Sequence, residues 1–88
     1  MTFDLDRAYR LSPAATLRPE PFGALAYHFG NRRLSFLKSR QLVTVVRLLG
    51  QHDSAAGALD AAGAPAGARA RYAAALATLA DSEVIDAR

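Results

Sequence analysis

The stretch RPEPFGALAYHFGNRRLSFLK, residues 18–38, decides the reading of this chain, because it sets Gly30-Asn31 between two runs that read as strands. Glycine at the first central position suits a two-residue type II′ hairpin turn, and asparagine tolerates positive φ if the turn is I′. Such a loop pairs Phe29 with Arg32, His28 with Arg33, Tyr27 with Leu34, Ala26 with Ser35 and Leu25 with Phe36. Side chains alternate between faces, so one face collects Leu25, Tyr27, Phe29, Leu34 and Phe36. The other collects Ala24, Ala26, His28, Arg33 and Ser35. A slip of one residue destroys this agreement between the two strands.

Working outward, residues 1–7 are polar and expected to be loosely held. Ala8 to Leu11 reads as a first strand ending at Ser12-Pro13, and Thr16-Leu17-Arg18 as a short second extended piece. Pro19 and Pro21 bias their neighbours toward extended geometry and deny a helix there. Beyond Lys38 the period becomes helical: Ser39 caps, Leu42, Val45, Val46 and Leu49 recur on one face, and Gly50 closes the helix. Asp53 or Ser54 caps a short second helix with Ala56, Leu59 and Ala62 inward, ended by Gly63. Pro65 opens a third, whose buried stripe is Ala68, Tyr72, Leu76 and Leu79. Asp81-Ser82-Glu83 is a turn and Val84-Ile85 a closing strand or tail packing. The predicted fold is α+β and winged helix-turn-helix-like, with an N-terminal three-stranded antiparallel β-sheet followed by three α-helices in a single domain over 1–88.

At 88 residues the chain supports one thin core, and a deep enclosed active site is not expected. The absence of cysteine removes disulfides, thiolate catalysis and cysteine-based metal sites. With no signal-like stretch and no long apolar run, the expected location is cytoplasmic, without membrane contact. The net charge of +3 is unevenly spread: residues 1–50 carry eight Arg/Lys against three Asp/Glu, and residues 51–88 carry three against five. The basic surface therefore belongs to the first half.

The sequence offers no catalytic constellation. His28 and His52 stand without a carboxylate or thiol at ligand spacing, and read as structural or surface histidines. Asp4 and Asp6 sit on the polar terminus. Gly63-Ala64-Pro65-Ala66-Gly67 lacks the lysine, the Ser/Thr and the preceding strand of a phosphate loop, and reads as a helix connector. No serine has a base in a recognisable arrangement. Catalytic residues, metal and cofactor are all expected to be none.

What remains is a binding surface. If Tyr9–Leu11 pairs with the strand around residue 26, then Arg32–Leu37 is the free edge of the sheet, flanked by Arg32, Arg33 and Lys38. One reading is that these charges guard the edge against aggregation. The other is that they recruit an acidic peptide that adds a strand, with Arg69 and Arg71 of the third helix forming a second basic wall.

The stretch LRPEPFGALAYHFGNRRLSFLKS, Leu17 to Ser39, closely resembles the small chaperones of mycofactocin biosynthesis, which are PqqD-like RiPP recognition elements. The resemblance runs from about Phe3 through the first helix. Over residues 55–88 it rests on the pattern of two helices and the terminal Val84-Ile85, and Glu83 stands where a turn glycine is expected. It implies a non-catalytic chaperone that binds the leader of a ribosomally made precursor peptide as an added strand, and presents it to a radical S-adenosylmethionine maturase. The site it implies comprises Arg32, Arg33, Leu34, Ser35, Phe36 and Leu37 on the strand, with Arg69, Tyr72, Ala73 and Leu76 on the third helix. An acidic leader suits the basic half. The competing readings are a winged-helix nucleic-acid-binding protein and a dimer formed edge to edge through Arg32–Leu37. Against the former, the third helix offers only Arg69 and Arg71 and no Asn, Gln or Lys to read bases. The expected partners are accordingly the precursor peptide and the maturase, not nucleic acid, with the chain a monomer or weak homodimer.

Overall fold

The structure, a computed structural model, describes residues 3–88. The chain runs β1 (Tyr9–Leu11), β2 (Ala15–Glu20), β3 (Gly23–His28), β4 (Leu34–Leu37), α1 (Arg40–Leu48), α2 (Ala55–Ala61), α3 (Arg69–Asp81) and β5 (Ile85–Ala87). The predicted α+β class holds, with antiparallel strands followed by three helices. Among the described residues no helix is long and apolar enough to cross a membrane.

The three-stranded sheet has the order β2-β3-β4, and β1 pairs instead with β5 in a separate two-stranded sheet. This corrects the expected pairing of Tyr9–Leu11 with the strand around residue 26. The place beside β3 belongs to Ala15–Glu20, which reaches further than the predicted Thr16–Arg18 and turns back through Pro21-Phe22. Pro19 is compatible with this strand because β2 is an edge. The Phe29 N–H donates to the Ala14 carbonyl (2.8 Å), so by the two-residue alternation of an antiparallel ladder position 19 points away from β3. A closing strand forms one residue later than Val84-Ile85, as Ile85–Ala87, with Leu11 opposite Ile85 and Tyr9 opposite Ala87.

The predicted register of the β3–β4 hairpin is observed, with Tyr27 opposite Leu34, Ala26 opposite Ser35 and Leu25 opposite Phe36. The turn differs from the expected two-residue form. The His28 N–H donates to the Arg33 carbonyl (3.0 Å) and the Arg32 N–H to the His28 carbonyl (2.8 Å), leaving residues 29–32 as the loop. Positive φ falls on Arg32 (61°) rather than on Gly30 or Asn31. Side chains hold this shape: His28 Nδ1 accepts from the Gly30 and Asn31 N–H groups (3.0 and 3.1 Å), and Asn31 Oδ1 accepts from the Arg33 N–H (2.9 Å). A Cβ on residue 30 would stand 2.9 Å from His28 Cε1, so glycine is needed there for close approach.

The covered face of the sheet is the one with small side chains. Ala24 and Ala26 are fully buried beneath α1, with Leu37, Val45, Val46 and Leu49 around them, while the face with Leu34 and Phe36 is open. Ser39 caps α1 through the Leu42 N–H (2.9 Å), and the helix passes into a 3-10 turn over Leu49–Gln51 rather than closing at Gly50. Ser54, not Asp53, caps α2. That helix buries Ala55, Ala58 and Leu59, whereas Ala56 and Ala62 are only half-buried, because its face is turned by one residue from the expected one. Pro65 precedes a 3-10 turn over Ala66–Ala68 that leads into α3, whose predicted stripe is buried. Residues 3–7 are engaged rather than loose: Phe3 stacks on Tyr9 (4.6 Å between ring centroids), and the Leu5 and Arg7 carbonyls accept the Ala56 and Ala55 N–H groups at the start of α2 (both 2.9 Å). Residues 1 and 2 of that expected loose segment lie outside the described residues.

Candidate functional site

β4 is the free edge, as expected, although the strand that takes the far edge is β2. Because His28 and Arg33 form a hydrogen-bonded pair, Ser35 and Leu37 also direct their backbone groups toward β3. The N–H and C=O groups of Leu34 and Phe36 therefore point outward. They are two rungs of a ladder with no strand opposite among the described residues.

Beside this edge runs α3, and a groove lies between them. One part, about 330 Å³, is lined by Leu34, Ser35, Phe36, Leu42, Ala75, Thr78 and Leu79. A neighbouring part, about 200 Å³, is lined by Lys38, Ser39, Leu42, Arg71, Tyr72 and Ala75. Leu42 and Ala75 belong to both, so the two parts are continuous and largely apolar. At the floor the Ser35 and Ser82 hydroxyls lie 3.1 Å apart, which ties β4 to the end of α3. The Tyr72 hydroxyl donates to Gln41 Oε1 (3.0 Å), and the Arg71 guanidinium lies 5.3 Å from the Tyr72 ring centre. The Ser39 hydroxyl lowers the phenol's pKa from its ordinary value; desolvation works the other way, and Arg71 reinforces the lowering.

Charge at this site is one-sided. Arg10, Arg18 and Arg69 are ion-paired with Asp86, Glu20 and Asp60. Arg32, Arg33, Lys38 and Arg71 form no ion pair among the described residues. Those four surround the edge and the groove.

The structure brings together Leu34, Ser35, Phe36 and Tyr72, with Arg32 and Arg33 exposed at the mouth of the strand. Leu37 and Leu76 are fully buried in the core, so their side chains do not face the groove. Arg69 turns to Asp60 at the end of α2. Ala73 lies on another side of α3, lining a separate hollow of about 710 Å³ with Phe3, Asp4, Leu5, Arg7, Ala74 and Ala77. Leu42, Ala75, Thr78 and Leu79 line the groove without having been named for it from the sequence. The signal for the last three is the helical step from Tyr72 to 75 and 79, which is one face. No group of three or more His, Asp or Glu side chains that could hold a metal ion occurs among the described residues.

Comparison with known proteins places the chain in a family. Residues 8–86 match the model of the family described as "Peptide chaperone MftB family". A protein of Mycobacterium ulcerans named "Peptide chaperone MftB" is 49% identical over 83 residues, covering 94% of this chain and 76% of the relative. The protein of the same name in Mycolicibacterium smegmatis is 49% identical over 85 residues, covering 97% of this chain and 83% of the relative. A Mycobacterium tuberculosis protein, again so named, is 46% identical over 83 residues, covering 94% and 76%. No solved structure gives a significant match. With a family match across nearly the whole chain and relatives at about half identity, the chain belongs to the MftB peptide chaperone family and is a chaperone rather than an enzyme.

Proposed function

We propose that the chain binds the acidic leader of a ribosomally made precursor peptide as a fourth strand on β4, and presents the precursor to the radical S-adenosylmethionine maturase of mycofactocin biosynthesis. The observation that carries this reading is the outward ladder of Leu34 and Phe36, lying beside an apolar groove and four cations that form no ion pair among the described residues. An added strand draws affinity from those main-chain groups, while its alternate side chains enter the groove against Leu42, Ala75 and Leu79. The cations give an acidic leader its preference and its on-rate, and make both fall with salt. A disordered leader loses entropy on ordering, so one strand holds it at about micromolar strength unless the maturase adds contacts. Holding leader and maturase together raises the effective concentration of the core segment at the maturase.

The test is an NMR titration of labelled chain with the acidic leader. Amide shifts at 34–37 and 71–79, with slowed exchange at Leu34 and Phe36, are the expected result. A flat titration, or shifts confined to other elements, sinks the reading. Shifts in α3 on adding a DNA duplex, with none on adding leader, would put a nucleic-acid protein in its place.

A further inference from the structure

The outer face of the three-stranded sheet is left unexplained by the groove. Phe22, Phe29, Leu34 and Phe36 are 43, 57, 58 and 60% exposed, and Leu25 and Tyr27 lie half-buried among them. These side chains form one patch. Leu25 stands opposite Phe36 and Tyr27 opposite Leu34, both in the narrower, non-hydrogen-bonded kind of pair. Ring centroids are 6.1 Å apart for Phe22 and Phe36 and 5.4 Å for Tyr27 and Phe29. The patch follows all six residues of β3, roughly 20 Å at about 3.3 Å per residue. Soluble monomers rarely keep so continuous an apolar patch in water unless something binds it.

The rim says what kind of surface fits. Arg32 and Arg33 close the loop end and Lys38 the other, and these three form no ion pair among the described residues. Arg18, across from Leu25 on β2, is balanced by its ion pair with Glu20 (2.8 Å), and the Glu83 carboxylate, bound to the neutral Asn31 amide (3.0 Å), keeps its charge, leaving the rim positive on balance. A second copy stacked face to face would bring like charges together. A lone extended peptide matches the edge and groove, one strand wide, and leaves most of the patch bare.

We propose that this outer face is the docking surface for a folded partner protein with an apolar patch ringed by carboxylates. The groove and the face are distinct but share Leu34 and Phe36. A peptide added to β4 widens the sheet, and every second side chain of that peptide joins the outer face. The partner therefore meets a larger surface on the loaded chaperone and binds it more tightly than the empty one. The choice of probe rests on the peptide-delivery reading: it is the radical S-adenosylmethionine maturase, reconstituted anaerobically.

The test compares the full chain with the double variant Phe22→Ser, Phe29→Ser, neither residue lining the groove. Amide spectra and thermal unfolding verify the fold, and leader and maturase affinities are measured separately. The expected result is unchanged leader binding with maturase affinity reduced roughly tenfold or more, and a tighter wild-type complex when leader is present. Unchanged maturase affinity in the variant, or no maturase binding by the wild type, overturns the docking face while leaving leader binding in place. A concentration-dependent dimer that the variant abolishes also overturns it, because the face is then covered by a second copy. Should the wild type bind maturase through this face but ignore the leader, the delivery reading fails and the docking face stands. Should loss of both affinities accompany loss of fold, Phe22→Tyr with Phe29→Tyr, which keeps the rings and adds polarity, replaces the pair, and unchanged maturase binding there overturns the proposal.

Discussion

Asn31 uses its whole side-chain amide to fasten the β3–β4 loop to the end of α3. It donates to the Ser82 carbonyl and to the Glu83 carboxylate (both 3.0 Å) and accepts from the Arg33 N–H. Asn31→Ala is expected to lower stability by about 1–2 kcal/mol, read in urea unfolding, since two backbone groups lose partners together. At the other end of this link Glu83 adopts φ 64°, capping α3 in the left-handed conformation that favours glycine, with the Val84 N–H donating to the Leu79 carbonyl (2.9 Å). Its bond to Asn31 is solvent-exposed and compensates only in part. Glu83→Gly should therefore raise unfolding stability by about 0.5 kcal/mol, relief of the strained φ outweighing the lost bond. The sequence shows glutamate where a turn glycine is expected, but the partner that holds it lies 52 positions away in the chain. Local reading has no access to such a partner.

At the scale of elements, β4 is an edge whose outward groups are available without cost to the sheet. Leu34→Pro removes an N–H that is directed away from β3, and proline is tolerated on edges in that orientation. The variant should fold, shown by an unchanged far-ultraviolet spectrum, yet bind leader roughly tenfold or more weakly. Leu34→Ala, which keeps the N–H, should lose less, and equal losses would remove the ladder from the account. The start of β3 has the opposite character. Gly23 has φ 151°, and a Cβ there would come 2.1 Å from the Leu37 carbonyl oxygen. Gly23→Ala is expected to cost about 3 kcal/mol or more in thermal or urea unfolding, because backbone has to move. The hairpin register and the α1 and α3 stripes were legible because alternation and helical periodicity are local signals. The phase of the groove on α3 was not: Arg69 and Ala73 lie two positions from Arg71 and Ala75, and that rotation moves a side chain to another side of the helix.

For the whole molecule, the pairing of β1 with β5 closes the chain on itself. Val84 and Ile85 are almost completely buried, the Ser12 N–H donates to the Val84 carbonyl (2.8 Å), and the Arg88 N–H donates to the Ala8 carbonyl (3.0 Å). Ile85→Ala is expected to cost about 2–4 kcal/mol, measured by urea unfolding with the groove variants as reference. In so small a domain that is a large part of the total. Two strands of three residues each carry too little periodicity to announce their partners, which is why the sequence put Tyr9–Leu11 beside the wrong neighbour. The free edge was nonetheless placed correctly, because its side of the ribbon did not depend on which strand took the other. The same closure bears on synthesis. Chains leave the ribosome N-terminus first, so Tyr9–Leu11 emerges early and waits unpaired until Ile85–Ala87 has cleared the exit tunnel. The sheet with the free edge can form once residues 15–37 have emerged, while closure of the core waits for β5.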